Sequence, residues 1–162
     1  MPVLSATQQR GFTLIELIIT LAIVALLSTI ALPISELSVK RAREDELRSA
    51  LQEIRTAIDA YKQAADNGRI ATAINQSGYP PTLEVLVDGV DDLTSINGHK
   101  IYFLRRIPRD PFATDTKLTP AETWGKRSYA SSASDPQDGD DVYDVYSKAA
   151  GKSLRGIPYR DW

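Results

Sequence analysis

The 162-residue sequence contains no cysteine, so the chain can form neither a disulfide nor a thiolate metal site. It contains one histidine, His99, with no second histidine or cysteine to complete a metal site. Nineteen lysines and arginines against 21 aspartates and glutamates give a net charge of −2, which excludes a generally basic nucleic-acid binder. The sequence also has no Ser/His/Asp set, glycine-rich phosphate loop or paired-carboxylate motif. We therefore predict that the protein is not an enzyme and has no nucleic-acid partner.

Charged side chains are almost missing from one long segment of the chain. Between Phe12 and Leu32, Glu16 is the only ionisable residue. At ~1.5 Å per residue, a helix of this segment would span roughly 31 Å, about the thickness of the hydrocarbon core of a bilayer. It is longer than the apolar core of a secretory signal peptide, which has about 7–15 residues. We therefore predict that residues 12–32 form a retained transmembrane helix.

The amphipathic pattern that follows predicts that the same helix continues over residues 33–66. Pro33 is the only helix breaker between Thr13 and Asp66, so we expect one long helix with a kink at Pro33. Asn67-Gly68 is the expected C-terminal stop. The continuation carries an apolar stripe at steps of three and four residues, formed by Leu47, Ala50, Leu51, Ile54, Ala57, Ile58, Tyr61, Ala64 and Ala65.

Residues 67–162 are large enough for one modest globular domain, which would cover this stripe. A short helix is predicted over residues 83–87, with Thr82 as its cap. Strands are predicted at residues 128–131 and 142–146, and the loop 135–141 between them makes the pair a hairpin. The predicted fold class is therefore α+β, with a long N-terminal helix packed on a small antiparallel β-sheet.

The carboxylate of Glu16, in the first turn of an apolar helix, has two explanations. Thr13 and Glu16 have the spacing of a capping box, and the helix dipole favours an acid at this end. Alternatively, a cut after Gly11 would give Phe12 a positively charged amine. Since each charge alone is costly in hydrocarbon, Glu16 could pair with this amine in its own chain or in a neighbouring subunit. In the second explanation, Glu16 sets the register in which identical helices assemble.

Residues 10–33 resemble the class III signal of type IV pilins and of the pseudopilins of type II secretion systems. They share the string G-F-T-L-I-E, the long apolar helix and the position of Pro33. The resemblance implies that residues 1–11 are a leader, which prepilin peptidase removes after Gly11, and that the amine of Phe12 is then methylated. It also implies assembly through residues 12–32 with Glu16 as an assembly residue. The leader would be cytoplasmic, and the chain would cross the bacterial inner membrane once into the periplasm.

Three downstream segments resemble the G-type major pseudopilin. They are Y-P-P-T with its short helix at residues 79–87, R-I-P-R-D-P-F at residues 106–112, and V-Y-D-V-Y-S at residues 142–147 with the final Asp161-Trp162. The lack of cysteine agrees, because many type IV pilins close their C-terminal region with a disulfide. The resemblance implies a structural subunit of a periplasmic pseudopilus that helps move folded proteins through an outer-membrane channel.

The resemblance also implies the partners of the chain. They would be further copies of itself in a helical homopolymer, other pseudopilins or pilins, the prepilin peptidase/methyltransferase and the inner-membrane assembly platform protein. Two alternatives stay open. The chain could be a major or minor subunit of a type IV pilus displayed on the cell surface. It could also be a membrane-anchored periplasmic binding domain that does not polymerise, in which case Glu16 would be only a cap.

The sequence departs from the G family at the loop that coordinates calcium in that family. The family loop is acidic and glycine-rich and follows the strand at residues 142–147, whereas residues 148–160 of this chain contain no carboxylate. Calcium needs several oxygen ligands, usually with anionic charge. The acids of this chain lie ahead of the strand, at residues 135–141, without ligand spacing, and we expect them to form a solvated loop. We therefore predict no cofactor and do not carry the calcium site over.

The remaining conspicuous side chains are expected to be structural. Asp110, between two prolines, is predicted to fix a turn by accepting hydrogen bonds from local amides. Trp124 and Trp162 are predicted to pack on the small sheet. A basic cluster is expected to be a solvated face, with contact to the acids of another subunit as the alternative, and it consists of Arg105, Arg106 and Arg109.

Overall fold

The computed structural model describes residues 11–73 and 76–162, except for the side chains of residues 29–35. The chain divides into two compact units, one that ends at Lys40 and one that comprises Arg41–Trp162. Residues 1–10 of the predicted leader lie outside the described residues.

The long helix is confirmed as α1, Leu14–Asp66, whose 53 residues pass through both units. It stops where Asn67-Gly68 predicted. Gly68 has a φ of 68°, and the amides of residues 68 and 69 donate to the carbonyls of Ala65 and Ala64, both at 2.9 Å. This is the Schellman arrangement, in which a residue with positive φ closes the helix and satisfies its last carbonyls.

The apolar stripe of α1 forms one side of the core of the unit Arg41–Trp162, as predicted. Leu47 and Ile54 are completely buried, and Ala65 at the end of the stripe is partly buried. The rest of the unit supplies the other side of this core, with Ile70, Leu83, Leu86, Leu104, Ala121, Trp124, Val142, Val145 and Tyr159. A helix that would be amphipathic alone is therefore stabilised by tertiary packing of its apolar face.

The short helix is α2, Val85–Asp88, which begins two residues later than predicted. Its N-cap residue is Glu84, without a side-chain cap hydrogen bond, so the prediction that Thr82 caps it is wrong. Leu83 and Leu86, three residues apart, are both buried. Their packing on the core, rather than a capping side chain, decides where the helical turn begins.

A first antiparallel sheet was not predicted from the sequence. It pairs β1, Val90–Asp91, with β2, Lys100–Ile101, and Val90 lies opposite Ile101. Each strand has only two residues, which is too short to produce an alternating pattern.

The second sheet confirms the predicted antiparallel pair but shifts both strands, since the second lies at residues 144–147 rather than 142–146. β3, Trp124–Arg127, pairs antiparallel with β4, Asp144–Ser147, and Trp124 lies opposite Ser147. The prediction of a strand at residues 128–131 is wrong, because these residues form a turn closed by the amide of Ser131 on the carbonyl of Ser128 at 3.1 Å. Burial of Trp124 places the strand four residues earlier. The α+β class is confirmed, with two small sheets in the part of the chain that the structure describes.

Candidate functional site

The predicted cleavage and assembly residues lie at the start of α1. Gly11 and Phe12 precede the helix, and the side chain of Phe12 is 84% exposed. The amide of Glu16 donates to Oγ1 of Thr13 at 3.3 Å, which confirms the Thr13 half of the predicted capping box. The side chain of Glu16 is exposed. Cleavage after Gly11, methylation of Phe12 and pairing of its amine with Glu16 stay predictions.

The side chains of residues 12–28 are exposed, and those of residues 14–28 are exposed on every side of α1. Exposed fractions range from 84% at Phe12 to 52% at Ile18, and the large apolar residues are Phe12, Leu14, Ile15, Leu17, Ile18, Ile19, Leu21, Ile23, Val24, Leu26 and Leu27. A helix that is apolar all round belongs in a membrane or among other helices. We call residues 12–28 the apolar segment.

Two hydroxyl groups of the apolar segment bond within the helix. The hydroxyl of Thr20 donates to the carbonyl of Leu17 at 2.9 Å, and that of Ser28 donates to the carbonyl of Val24 at 2.8 Å. Such back-bonding lets hydroxyl residues sit in an apolar environment. Glu16 is then the one ionisable group of the segment that any apolar surrounding must accommodate.

The transmembrane prediction for residues 12–32 is not confirmed. Among the residues that the structure describes, no helix combines the length and the hydropathy needed to cross a bilayer. Pro33 lies within α1, in the stretch whose side chains fall outside the described residues, so the kink also stays a prediction.

A buried carboxylate connects α1 to the C-terminal part of the chain. Glu44 is only 7% exposed, and its Oε1 accepts from the amide of Leu154 at 2.8 Å and from the hydroxyl of Tyr159 at 2.9 Å. Burial and the bond to Glu44 raise the pKa of Tyr159 to about 12, so the phenol stays a donor at physiological pH. Sequence reasoning missed this contact. The available signal was spacing, since Glu44 precedes Leu47 by three residues and so lies on the apolar stripe.

The segment that follows β4 is held by its own backbone. We call residues 148–158 the C-terminal loop. The amide of Ser153 donates to the carbonyl of Ile157 at 2.8 Å, and the amide of Ile157 returns a bond to Oγ of Ser153 at 3.1 Å. The amide of Tyr159 donates to the carbonyl of Gly151 at 3.1 Å. These hydrogen bonds between backbone and side-chain groups of the loop stabilise its closed shape.

Asp110 fixes a turn as predicted and also makes a contact that the sequence did not indicate. Its Oδ1 accepts from the amide of Phe112 at 2.8 Å, and its Oδ2 accepts from the hydroxyl of Ser147 at 2.6 Å. Asp110 is 1% exposed. One carboxylate thus joins the R-I-P-R-D-P-F segment to the end of β4.

Both tryptophans are packing residues, as predicted. Trp124 is completely buried, and its Nε1 donates to the carbonyl of Pro108 at 2.8 Å. The ring of Trp162 lies 4.8 Å from the guanidinium of Arg48. The backbone oxygen of Trp162 accepts a hydrogen bond from the guanidinium of Arg55 at 2.7 Å, which connects Trp162 to α1.

The charged clusters are only partly solvated. Arg105 and Arg106 are exposed, but Arg109 donates to the carbonyl of Leu118 at 2.7 Å. In the acidic loop, Asp141 accepts from the amide of Tyr129 at 2.8 Å and from the hydroxyl of Ser77, whereas the other acids of the loop are exposed and include Asp135, Asp138 and Asp140. Arg109 and Asp141 are therefore half-buried and hydrogen-bonded within the unit, while the other members of both clusters are exposed as expected.

The chain matches the family model described as the prokaryotic N-terminal methylation motif over residues 7–32. It is 29% identical over 126 residues to type II secretion system core protein G of Pectobacterium carotovorum subsp. carotovorum, covering 75% of this chain and 74% of that protein. The protein of the same name from Klebsiella pneumoniae is 28% identical over 141 residues, covering 83% and 93%. A fimbrial protein of Moraxella nonliquefaciens is 34% identical over 90 residues, covering 56% and 51%. No solved structure matches the chain significantly.

Proposed function

We propose that this chain is a G-type pseudopilin of the type IV pilin-like superfamily and that it polymerises into a periplasmic pseudopilus of a type II secretion system. In this proposal the apolar segment anchors the chain in the inner membrane before assembly. The unit Arg41–Trp162 then faces the periplasm. The protein is a structural subunit rather than an enzyme.

The observation that carries this proposal is the all-round exposure of the apolar segment. Full burial of one large aliphatic or aromatic side chain contributes about 1.5–3 kcal/mol. With side chains half exposed or more, leaving the segment in water would cost on the order of 10 kcal/mol, as much as the net stability of a typical domain. Before assembly, membrane lipid would cover the segment and remove this cost. After assembly, the helices of neighbouring subunits would do the same.

Processing after Gly11 would supply the partner of Glu16. Removal of residues 1–11 creates an amine at Phe12, four residues before Glu16, and methylation leaves that amine positively charged. In a bundle of identical helices, the carboxylate of one subunit would neutralise the amine of its neighbour and so set their relative height. The capping contact with Thr13 uses the amide of Glu16, so the carboxylate remains available for this role.

Intact mass spectrometry of the protein purified from membranes tests processing. We expect a chain that begins at Phe12 and carries one added methyl group. A chain that retains residues 1–11 would contradict both the cleavage site and the origin of the proposed partner of Glu16.

The substitution Glu16→Ala tests assembly. We expect the variant to be processed and inserted in the membrane but absent from sheared or cross-linked filaments, because it cannot neutralise the amine of its neighbour. Glu36→Ala is the matched control, since Glu36 is an exposed acid of α1 outside the apolar segment. Thr13→Val removes the capping hydroxyl but keeps the carboxylate, and should still assemble. If Thr13→Val and Glu16→Ala failed equally, Glu16 would be only part of a cap.

The similarity to a fimbrial protein supports one alternative, a subunit of a surface-displayed type IV pilus. Such a pilus would assemble by the same mechanism, but its filament would extend outside the cell instead of staying in the periplasm. Immunogold labelling of intact cells at native expression separates the two, because a periplasmic pseudopilus is not accessible to antibody from outside. A membrane-anchored binding domain that never polymerises is the further alternative, and normal function of Glu16→Ala would favour it.

A further inference from the structure

The resemblance to the G-type family implies that the C-terminal loop corresponds to the calcium loop of that family, yet three of its oxygens accept hydrogen bonds that close the loop. The carbonyls of Gly151 and Ile157 accept from the amides of Tyr159 and Ser153. Oγ of Ser153 accepts from the amide of Ile157. Ca²⁺ takes six to eight oxygen ligands. Each of these oxygens already accepts a hydrogen bond that shapes the loop, so it offers an ion only its remaining lone pair.

The charge of the loop is also wrong for a divalent cation. Residues 148–160 contain four basic side chains, Lys148, Lys152, Arg155 and Arg160, and no acidic one. Nζ of Lys148 donates to the carbonyl of Glu122 at 3.0 Å, and the guanidinium of Arg160 lies 5.6 Å from the ring of Tyr146. Sites for Ca²⁺ normally include carboxylates that neutralise the ion. Here the ion would meet positive charge instead.

One carboxylate does reach the loop, and it comes from the helix. Glu44 is buried, and one of its oxygens accepts from the amide of Leu154 at 2.8 Å and from the hydroxyl of Tyr159 at 2.9 Å. Hydrogen bonds to an ionised acceptor are roughly twice as strong as those between neutral groups. A single carboxylate on α1 therefore holds both Leu154, within the loop, and Tyr159, directly after it.

The aromatic ring of Tyr159 is itself held in place, which makes it a rigid donor. Its centroid lies 4.3 Å from that of Phe112 in a stacked pair and 5.5 Å from that of Trp162 in an edge-to-face pair. The bond to Glu44 is therefore aligned by packing, and little entropy is lost in making it.

We propose that Glu44 is the anchor of the C-terminal loop and that this loop keeps its structure without a metal ion. In this proposal the carboxylate of Glu44 holds the loop in place, as the resemblance implies that a bound cation does in the G-type family. The cation would bind oxygen atoms, whereas the carboxylate accepts hydrogen bonds from an amide and a hydroxyl. The proposal concerns the folded subunit and is independent of whether the subunit polymerises.

Thermal unfolding of the full chain in detergent micelles tests both halves of the proposal. We expect the same Tm in EGTA and in about 1 mM CaCl₂, a concentration that saturates typical extracellular calcium modules. Glu44→Gln should lower Tm by about 5 °C and Glu44→Ala by about 10 °C. Glu46→Gln, two residues away on the exposed side of α1, is the matched control and should leave Tm unchanged.

A local measurement distinguishes anchoring from a general loss of stability. Hydrogen exchange of residues 148–158 should accelerate at least tenfold in Glu44→Gln relative to wild type, with the amide of Leu154 affected most, while exchange in β3 changes far less. Tyr159→Phe keeps the ring and removes one donor, so it reports on the anchor even if Glu44→Ala does not fold. It should lower Tm by a few degrees.

Two outcomes would overturn the proposal. A rise in wild-type Tm of several degrees with CaCl₂, reversed by EGTA, would mean that the loop binds calcium. Equal Tm and equal loop exchange in Glu44→Gln and Glu46→Gln would mean that Glu44 does not anchor it. Neither result depends on filament formation, so failure here and failure of the proposed polymerisation are separable.

Discussion

Replacement of Asp110 is the sharpest test of how the second half of the chain is held together. The carboxylate is buried and accepts two hydrogen bonds, from the amide of Phe112 at 2.8 Å and from the hydroxyl of Ser147 at 2.6 Å. Asp110→Ala removes both acceptors and leaves two donors buried. Asp110→Asn keeps the size of the side chain and one acceptor oxygen.

The two substitutions should differ in magnitude. An unsatisfied buried donor costs about 1–3 kcal/mol, so Asp110→Ala should lower the free energy of unfolding by about 3 kcal/mol. In Asp110→Asn the amide oxygen can still accept from Phe112, and the amide nitrogen can donate to the hydroxyl of Ser147. We therefore expect a loss of about 1 kcal/mol, which reflects only the missing charge.

Near-UV circular dichroism during thermal unfolding is a suitable assay, because Trp124 is buried and donates to Pro108, two residues from Asp110. A loss of about 3 kcal/mol should lower Tm by roughly 10 °C. Asp138→Ala, at an exposed acid, is the control and should have no effect. Ser147→Ala should cost less in the Asp110→Ala background than in wild type. Equal Tm values for Asp110→Ala and Asp110→Asn would refute the reasoning.

Two further predictions concern β3 and the loop after β1. A Cβ at Gly125 would lie 2.3 Å from ring carbons of Tyr146. Gly125→Ala should therefore lower the free energy of unfolding, measured by denaturant titration, by about 1–3 kcal/mol. The same loss in a Tyr146→Ala background would rule out this clash as the cause. Hydrogen bonds from Arg69 and Thr94 lower the pKa of Asp92 to about 2. The stability that Asp92 contributes is therefore fully present above its pKa in the unfolded chain, near 4, and is lost as the pH falls through 2. NMR titration of the carboxyl carbon should show this midpoint in wild type and a higher one in Arg69→Ala, and an unchanged midpoint would contradict the pairing.

The helical half of the molecule could be predicted because its signals are local. A helix repeats every 3.6 residues, so the stripe from Leu47 to Ala65 appears in the sequence as a run of three- and four-residue steps. The stop at Gly68 is equally local, since only a residue that accepts positive φ closes the helix in this way. Both predictions are confirmed.

The sheets were harder to predict because their signals are not local. Residues 128–131 have the composition of a strand, yet β3 begins at Trp124, where the indole finds a buried site and the carbonyl of Pro108. β1 and β2 have two residues each and exist through pairing with one another. Strand position is set by cross-strand and core contacts, which a sequence pattern does not contain.

The same distinction applies to the candidate site. Glu16 stands out in the sequence because it is a single carboxylate in an apolar run. Phe12 stands out because it follows Gly11 at the start of the same run, in the string G-F-T-L-I-E. Glu44 does not stand out, because acids are common in the charged part of α1. Its role appears only when Leu154 and Tyr159, more than 100 residues later, are brought to its oxygen.

What the sequence by itself determined is therefore the apolar segment, the length and stripe of α1, the α+β class and the match to the N-terminal methylation motif at the start of the chain. Tertiary structure alone decided which side chains became buried acceptors, as Asp110 and Glu44 did, and where each strand begins. The physical reason is range. Helix periodicity and end signals act over a few residues, whereas a hydrogen bond between distant segments exists only once the core has brought its two partners together.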